Sequence, residues 1–485
     1  MKLLPIFFIT SLLAACGGGG DSSNTSTGGA TTPPSITPVK SATILPGPFT
    51  SLEEEHIPEI EIFDINNDGL KDIVMSVTDY GTSTFKILIN QGDKNFTDQT
   101  EQLFPVSENP SHASLPYWVS QFYFVDLNDD GLKDLIAGGS NPGIAVMDRI
   151  YIQQADKSFS ELALTELPTF DFTYNNGAYE GGHTNDGNLL PLDVDGDGDF
   201  DLVNFDNSHA FLYDDDRYTS ELIMEIRVYI NNSVDGQVLF TKSQASRYQD
   251  FTIDKAAFID NPAVLDVNQD GLDDIVYMGP NWKGQFVDEA IPLKVLLNNG
   301  SGEFVSGVEQ VIEGDIPTLV HGGAHKTGDF NGDGVADILV GGSGYDAYPY
   351  PGERNVLLLS QPNGLYIDAK KNAPAFIDNP IMTHSTAIGD LNNDGHLDIV
   401  FADIAKGTIN DRVKLLLNDG NANFEVQADK FPNAALYGEK GELNSWTTIR
   451  VADMDNDGKD DIILGAQFRD TNSLIYWNDG SGIFK

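Results

Sequence analysis

The sequence predicts an all-β fold, a seven-bladed β-propeller whose blades are four-stranded antiparallel sheets. An acidic pattern, Asp-x-Asp/Asn-x-Asp-Gly-x-x-Asp, occurs seven times, and successive copies begin 62, 67, 73, 63, 61 and 63 residues apart. Each repeat contains signals for about four short strands, which is the content of one propeller blade. A sustained helical period of apolar residues is not found, so helices should be few.

The strand signals lie in the same places in each repeat. An apolar stretch such as IEIF (60–63) precedes the acidic pattern, and an apolar run such as DIVF (398–401) follows it. Farther along comes a β-rich run with a Gly-containing turn, as in KVLLNNGSGEF (294–304). Asn-Gly and Asp-Gly between apolar runs mark tight hairpins.

The seventh repeat is one strand short, because the sequence stops just after its hairpin aromatic, Phe484. Residues 41–45 are the first apolar run after the N-terminal region, and they precede the first strand of blade one. They are not needed for the four strands of that blade. An open sheet edge is a pairing liability. We therefore predict that residues 41–45 pair antiparallel with residues 474–477 and complete blade seven.

The spacing of the acidic pattern predicts a metal loop. Oxygen-bearing side chains at positions 1, 3, 5 and 9 converge on one point, Gly at position 6 permits the sharp turn, and the carbonyl at position 7 adds a ligand. Only oxygens are offered, which favours Ca²⁺, with Mg²⁺ as the second candidate because it tolerates crowded protein cages poorly. The helix-loop-helix calcium motif needs Glu at position 12, where the first copy has Met75, so this is a strand-loop-strand site.

About seven Ca²⁺ sites are predicted, one in each repeat. Their ligands are, loop by loop, Asp64, Asn66, Asp68, Leu70 and Asp72; Asp126, Asn128, Asp130, Leu132 and Asp134; Asp193, Asp195, Asp197, Asp199 and Asp201; Asp266, Asn268, Asp270, Leu272 and Asp274; Asp329, Asn331, Asp333, Val335 and Asp337; Asp390, Asn392, Asp394, His396 and Asp398; and Asp453, Asp455, Asp457, Lys459 and Asp461.

The composition agrees with this prediction. Asp and Glu total 74 against 28 Lys and Arg, for a formal net charge of −46. Such a field repels nucleic acids and anionic membrane surfaces and attracts cations, so no nucleic-acid partner is expected. Seven divalent cations at two charges each would offset 14 of the 46 excess negative charges.

The N-terminal region predicts export and a lipid anchor. Residues 1–15 contain Lys2 and a short apolar stretch and read as a signal peptide. They end in Leu13-Ala14-Ala15 before Cys16, the single cysteine, which resembles a bacterial lipobox; an ordinary signal peptide is the alternative. Gly17 in the next position favours, by the same resemblance, the outer membrane. Residues 16–40 are a Gly/Ser/Thr/Pro tether, and residues 41–485 form the propeller.

The repeats resemble the FG-GAP/VCBS family, which includes the calcium-loop propellers of integrin α-subunits and of many bacterial surface proteins. The resemblance covers roughly residues 42–485. It implies that each loop joins the innermost strand of a blade to the next strand and that its metal is structural. No Gly-Ala-Pro segment of the integrin type is present, so integrin-type ligand recognition is not implied.

Histidines precede most of the acidic loops, and Trp446 takes the comparable place in the seventh repeat. If the strand before each loop is innermost, as the family implies, these side chains lie at the mouth of the central channel, opposite the loops. An axial ligand or metal site is one interpretation, and hydrogen bonding within the blade entries is the other. The residues concerned are His56, His112, His183, His321, His325, His384 and Trp446.

Two classes of function follow. The first is a calcium-stabilised binding or adhesion module, anchored to the outer membrane through Cys16, facing the periplasm or the cell surface, with an unknown protein or carbohydrate ligand. The alternative is a carbohydrate-active enzyme, similar to a polysaccharide lyase, with its site at the mouth of the channel. We assign no catalytic residue, because no nucleophile elbow, zinc-protease motif or phosphate loop is found.

Overall fold

The fold was analysed in a computed structural model of the chain. The structure describes residues 43–44, 59–78, 83–105, 108, 119–139, 148–162, 167–168, 173–174, 179–180, 189–206, 224–243, 246–248, 262–279, 290–344, 352–370, 381–403, 413–427, 430–431, 446–466 and 474–484.

Seven four-stranded antiparallel sheets follow one another along the chain, as predicted. Blade 1 is Ile60–Phe63, Asp72–Thr78, Ser83–Asn90 and Phe96–Asp98. Blade 2 is Val119–Val125, Asp134–Gly139, Arg149–Gln153 and Phe159–Glu161. Blade 3 is Leu189–Leu192, Asp201–Asp206, Met224–Asn231 and Phe240–Lys242.

The other four blades repeat this plan. Blade 4 is Ala263–Leu265, Asp274–Tyr277, Lys294–Asn298 and Phe304–Ser306. Blade 5 is Gly322–Gly328, Asp337–Gly342, Val356–Ser360 and Tyr366–Asp368. Blade 6 is Thr383–Gly389, Asp398–Asp403, Val413–Asn418 and Phe424–Gln427. Blade 7 is Trp446–Ala452, Asp461–Ala466, Leu474–Tyr476 and Thr43–Ile44.

Additional elements are short. Ser246–Tyr248 adds to the third strand of blade 3, and two small hairpins pair Thr173–Tyr174 with Tyr179–Glu180 and Ile291–Pro292 with Thr318–Leu319. The helices in the described ranges are the single turns Thr100–Leu103 and Val308–Val311. Within those ranges no helix has the length and apolarity needed to cross a membrane.

The N-terminal strand closes the ring. Thr43 pairs antiparallel with Ile475, and Ile44 with Leu474, so the last blade takes its outermost strand from the start of the chain. The predicted closure is therefore confirmed. The pairing covers the outer edge of Leu474–Tyr476, whose backbone N–H and C=O groups would otherwise be unpaired.

The hydrophobic core lies between the blades. Seven clusters of buried side chains are present among the described residues, and each combines residues of two successive blades. The cluster that joins blade 7 to blade 1 packs Ile463 and Ile475 against Ile60 and Ile73, all fully buried. Because each sheet presents one face to each neighbour, its second and third strands are nearly continuous apolar runs.

The first strand of each blade is named the inner strand below. The inner strands of blades 4, 5, 6, 7, 1 and 2 lie side by side in that order. Four inner strands carry a register shift near their first residues, in blades 2, 5, 6 and 7. The inner strand runs into the acidic loop, which leads to the second strand. The fold thus places the loops on one face of the ring and the starts of the inner strands on the other.

Candidate functional site

The seven acidic loops share one backbone conformation. Position 6 is always Gly with a positive φ, from 81° at Gly131 to 98° at Gly198. Position 4 also has a positive φ in every loop and is occupied by Asn, Asp, Gln or Gly. Two left-handed residues in one short loop explain the choice of Gly and Asn, which tolerate this region with the least strain.

Side-chain hydrogen bonds fix the first half of each loop. In the first loop Asp64 Oδ1 accepts from the N–H of Asp68 and Oδ2 from that of Gly69, and Asp68 Oδ1 accepts from the N–H of Leu70. The same three bonds recur in all seven loops at 2.8–3.3 Å. These bonds therefore bring positions 1 and 5 together without help from another element.

Carboxylate oxygens converge in two of the described loops. In loops 3 and 7, where position 3 is Asp, three carboxylates lie within 4.8 Å of one another: Asp193, Asp195 and Asp197 in one, and Asp453, Asp455 and Asp461 in the other. At position 3, Asn128 Oδ1 and Asp455 Oδ1 are buried and accept no hydrogen bond. A buried oxygen without a donor is costly, and a cation at the convergence point would satisfy it.

The Asp at position 9 is different from the others because it is buried at 0–1% exposure in every loop. In the first loop Asp72 Oδ2 accepts from the N–H of Ile65, at position 2, and Oδ1 from the N–H of Asn90, at the end of the third strand. The same pair of bonds is present in the other six loops. Position 9 therefore ties its loop to its own blade.

Burial raises the pKa of these seven aspartates. It reaches about 6 for Asp72, Asp201, Asp274 and Asp337, and about 7 for Asp134, Asp398 and Asp461. Ionising a carboxylate in such a place is costly, and neighbouring aspartates of the same loop raise the pKa further. A bound divalent cation would reverse both effects, so these loops have the charge as well as the donor set that suits Ca²⁺.

Six of the seven loops are also held by the next blade, which the sequence pattern did not reveal. The amide Nδ2 of Asn90 donates to the carbonyl oxygen of Met454, at position 2 of loop 7, at 2.7 Å. Five more blades have an equivalent bond to position 2 of the preceding loop: Gln153 to Ile65, Asn231 to Leu127, Asn298 to Val194, Asn418 to Phe330 and Asn478 to Leu391. We call these six side chains the clamp residues.

Blade 5 departs from the clamp pattern. Its corresponding residue is Ser360, whose hydroxyl donates to Asp333 of its own loop at 2.7 Å instead. The Nδ2 of Asn331, at position 3 of that loop, lies 3.3 Å from Ser360 Oγ, so loop 5 is braced internally. The clamps thus link the loops in a chain around the ring with one interruption, between loops 4 and 5.

The clamps should contribute to stability. Asn298→Ala removes the donor to Val194 and leaves that buried carbonyl unsatisfied, so we expect a loss of about 1–3 kcal/mol in the free energy of unfolding. Asn299→Ala, the matched control one residue along, removes only exposed turn contacts and should cost about 0.5 kcal/mol or less. Denaturant unfolding in the presence of calcium measures both. Equal losses for the two variants would show that the clamp does not stabilise the ring.

Two lysines neutralise part of loop 7. Lys459, at position 7, donates to Asp457 Oδ2 at 2.7 Å, and Lys94 of blade 1 lies 3.0 Å from Asp455 Oδ2. Lys94 also sits over the ring of Trp477, 4.1 Å from its centroid. In loop 3, no described lysine or arginine makes an ion pair with its carboxylates, and position 7 adds the charge of Asp199. The two loops with Asp at position 3 are therefore electrostatically unequal.

We expect loop 7 to bind calcium more weakly than loop 3. At limiting free calcium, native mass spectrometry of Lys94→Ala/Lys459→Ala should show more ions bound than for the unaltered chain, because both ammonium groups compete with the cation. Lys86→Ala is the control, since Lys86 pairs with Asp98 away from any loop. An unchanged ion count in the double variant would contradict this ranking.

The predicted axial residues have different surroundings. His325 is buried, and its Nε2 accepts the N–H of Met278 in blade 4 at 2.9 Å, so it makes a structural bond between blades. His321 and His384 are half-buried. Their partial removal from water lowers the pKa of each, to about 4 and about 3, so both rings are neutral at pH 7. His56, His112 and His183 lie outside the described residues. Trp446 begins the inner strand of blade 7, but its side chain is outside the described part.

Comparisons with known proteins agree with this architecture. The profile of the FG-GAP-like repeat matches residues 64–137, 266–340 and 390–464, each of which begins at the first Asp of an acidic loop. A T-cell immunomodulatory protein homolog of Plasmodium yoelii yoelii is 27% identical over 199 residues, which is 39% of this chain. The match spans 26% of that relative, about a quarter of its length.

One solved structure that was superposed on this chain is the exotype rhamnogalacturonan lyase YesX. It is 12% identical, and the superposition covers 93% of this chain and 74% of that one with a TM-score of 0.38. A score this low carries over neither fold nor activity. The evidence for the family is therefore the repeat itself: three segments match its profile, and the other four loops have the same backbone and hydrogen bonds. This chain is an FG-GAP repeat β-propeller.

Proposed function

We propose that this protein is a calcium-stabilised binding module, held at the outer membrane by a lipid on Cys16. The observation that supports it best is the repetition of one oxygen-lined loop in all seven blades, chained from blade to blade by the clamp residues. Such a ring stiffens when its loops are filled, and a rigid scaffold is a suitable platform for ligand-binding loops.

Within each loop, the carboxylates at positions 1, 5 and 9, the oxygen at position 3 and the carbonyl at position 7 would hold the ion. In loop 7 the position 9 carboxylate of Asp461 lies within 4.8 Å of those of Asp453 and Asp455. Calcium supplies only positive charge and coordination there. The buried Asp at position 9 keeps the loop attached to the third strand through its two backbone hydrogen bonds. Occupation of the loop therefore stabilises the attachment of one blade to the next.

Binding and catalysis can be separated by one experiment. The purified chain, without its first 15 residues and with Cys16→Ser, is applied in calcium to arrays of glycans and of surface proteins, and is also incubated with acidic polysaccharides. We expect calcium-dependent retention on at least one array and no rise in the ultraviolet absorbance of an unsaturated lyase product. Product formation would instead support the lyase alternative, and no retention with any probe would refute the binding function.

The anchor has its own test. Cys16→Ser should abolish incorporation of a labelled fatty acid and move the protein from the membrane fraction to the soluble fraction, because stable anchoring needs the acyl chains. Fractionation of cells expressing either form measures this. A serine variant that still incorporates label and still sediments with membranes would show that Cys16 is not the anchor.

A further inference from the structure

A second candidate site lies between the inner strands of the ring. A cavity of about 360 Å³ opens between the inner strands of blades 1, 2, 5 and 7. Four charged side chains reach it: Glu59, Glu61, Lys326 and Arg450. Its volume is at the lower end of the range for small-molecule sites. Glu61, Lys326 and Arg450 lie in strands, which position side chains more precisely than loops do.

Arg450 is fully engaged with the protein. Its Nη2 is hydrogen-bonded to Glu59 Oε1, its Nε lies 3.5 Å from Glu61 Oε2, and its Nη1 donates to Thr448 Oγ1 and to the carbonyl of Ile449. A guanidinium with this many partners holds the two carboxylates in place. Arg450 is therefore a positioning residue for Glu61 and not a ligand-binding group.

Lys326 has no such partner. Among the described residues it makes no ion pair or hydrogen bond, and Glu61 is the charged group that interacts with it electrostatically. Burial lowers the pKa of Lys326 and raises that of Glu61. An ammonium and a carboxylate thus face the same cavity without touching each other. Both residues are half-buried, with the Glu61 side chain 32% exposed, so a polar molecule can enter between the two charges and hydrogen-bond with both.

We propose that the cavity binds one neutral, hydroxyl-rich sugar unit, which accepts a hydrogen bond from Lys326 and donates one to Glu61. A hydroxyl group is both donor and acceptor, so neighbouring hydroxyls match this pair of charges. Phe63 and Phe124, stacked with their centroids 4.6 Å apart, supply an apolar wall. The formal charges of the four side chains cancel, and the chain as a whole carries −46, so an acidic sugar is disfavoured.

This inference goes beyond the proposed surface binding, because it assigns a monosaccharide-sized site inside the ring. Calorimetric titration of the Cys16→Ser chain in calcium uses glucose, galactose and rhamnose, with galacturonate and glycine as charged comparisons. We expect binding of at least one neutral sugar and weaker or no binding of galacturonate and glycine. Retention on a polymer array without free-sugar binding would refute the site in the cavity and leave the surface module intact.

Variants locate the site. Lys326→Met and Glu61→Gln each remove one hydrogen bond to a charged group and should weaken the neutral sugar roughly tenfold or more. Lys86→Met, whose lysine pairs with Asp98 away from the cavity, should bind as the unaltered chain does. If a single variant unfolds because one charge is left alone, Glu61→Gln/Lys326→Met removes both and should fold but not bind. Preference for galacturonate or glycine, equal binding by the variants, or no binding of any probe would overturn the proposal.

Discussion

We expect chelation of calcium to lower the melting temperature of this protein by more than about 10 °C. At a calcium concentration one hundred times the dissociation constant, each site stabilises the folded state by about 2.7 kcal/mol, and several sites together by on the order of 10 kcal/mol. The physical reason is that the unfolded chain cannot preorganise the loop oxygens. Differential scanning calorimetry with EDTA, and then with an excess of calcium or magnesium, measures the effect.

Two variants of the third loop serve as internal tests. Asp197→Ala removes a position 5 carboxylate and should eliminate one site while leaving most of the others occupied. Asp199→Ala removes the same charge from position 7, where the backbone carbonyl is the predicted ligand, and should leave the ion count unchanged. An unchanged melting temperature after thorough chelation, or equal restoration by magnesium, would contradict the assignment of structural calcium.

The repeat was predictable because its elements are local. Asp at positions 1 and 5 and Gly at position 6 form hydrogen bonds with residues only a few positions away. A sequence pattern that contains Asp64 and Gly69 is therefore sufficient to predict the loop. Ring closure was predictable for a similar reason, since a blade with three strand signals needs a fourth strand. The additional role of position 9, which attaches the loop to the third strand, was not predictable, because spacing alone does not show that Asp72 is buried against Asn90.

The residues that line the cavity could not be predicted from the sequence, because the direction of a side chain depends on the strand register. In blade 5 the pairing shifts between Gly323 and Lys326, and a one-residue shift reverses which side chains face a given side of the sheet. His325 is therefore turned towards Met278, whereas Lys326 reaches the cavity. The clamp bonds could not be predicted because their partners are far apart in the chain: Asn90 and Met454 are separated by 364 residues.

We also expect a large decrease in melting temperature when the strand that closes the ring is removed. Deletion of residues 41–46 should lower the melting temperature by roughly 5 °C or more, because it removes the partner of Leu474–Tyr476 and exposes a sheet edge. Deletion of residues 17–35, within the predicted tether, should leave the melting temperature unchanged. A Gly/Ser replacement of residues 41–46 keeps the chain length and should behave like the first deletion.

The loss should spread beyond blade 7, because its outer strand is followed in the order of the chain by the inner strand of blade 1. The cluster that packs Ile60 and Ile73 against Ile463 and Ile475 joins the two ends of the ring, and the bond from Asn90 to Met454 crosses the same interface. Hydrogen exchange should therefore show faster opening of blades 1 and 7 than of blade 4 in the 41–46 deletion. Equal melting temperatures for the two deletions, or uniform exchange around the ring, would show that the apolar interface alone keeps the propeller closed.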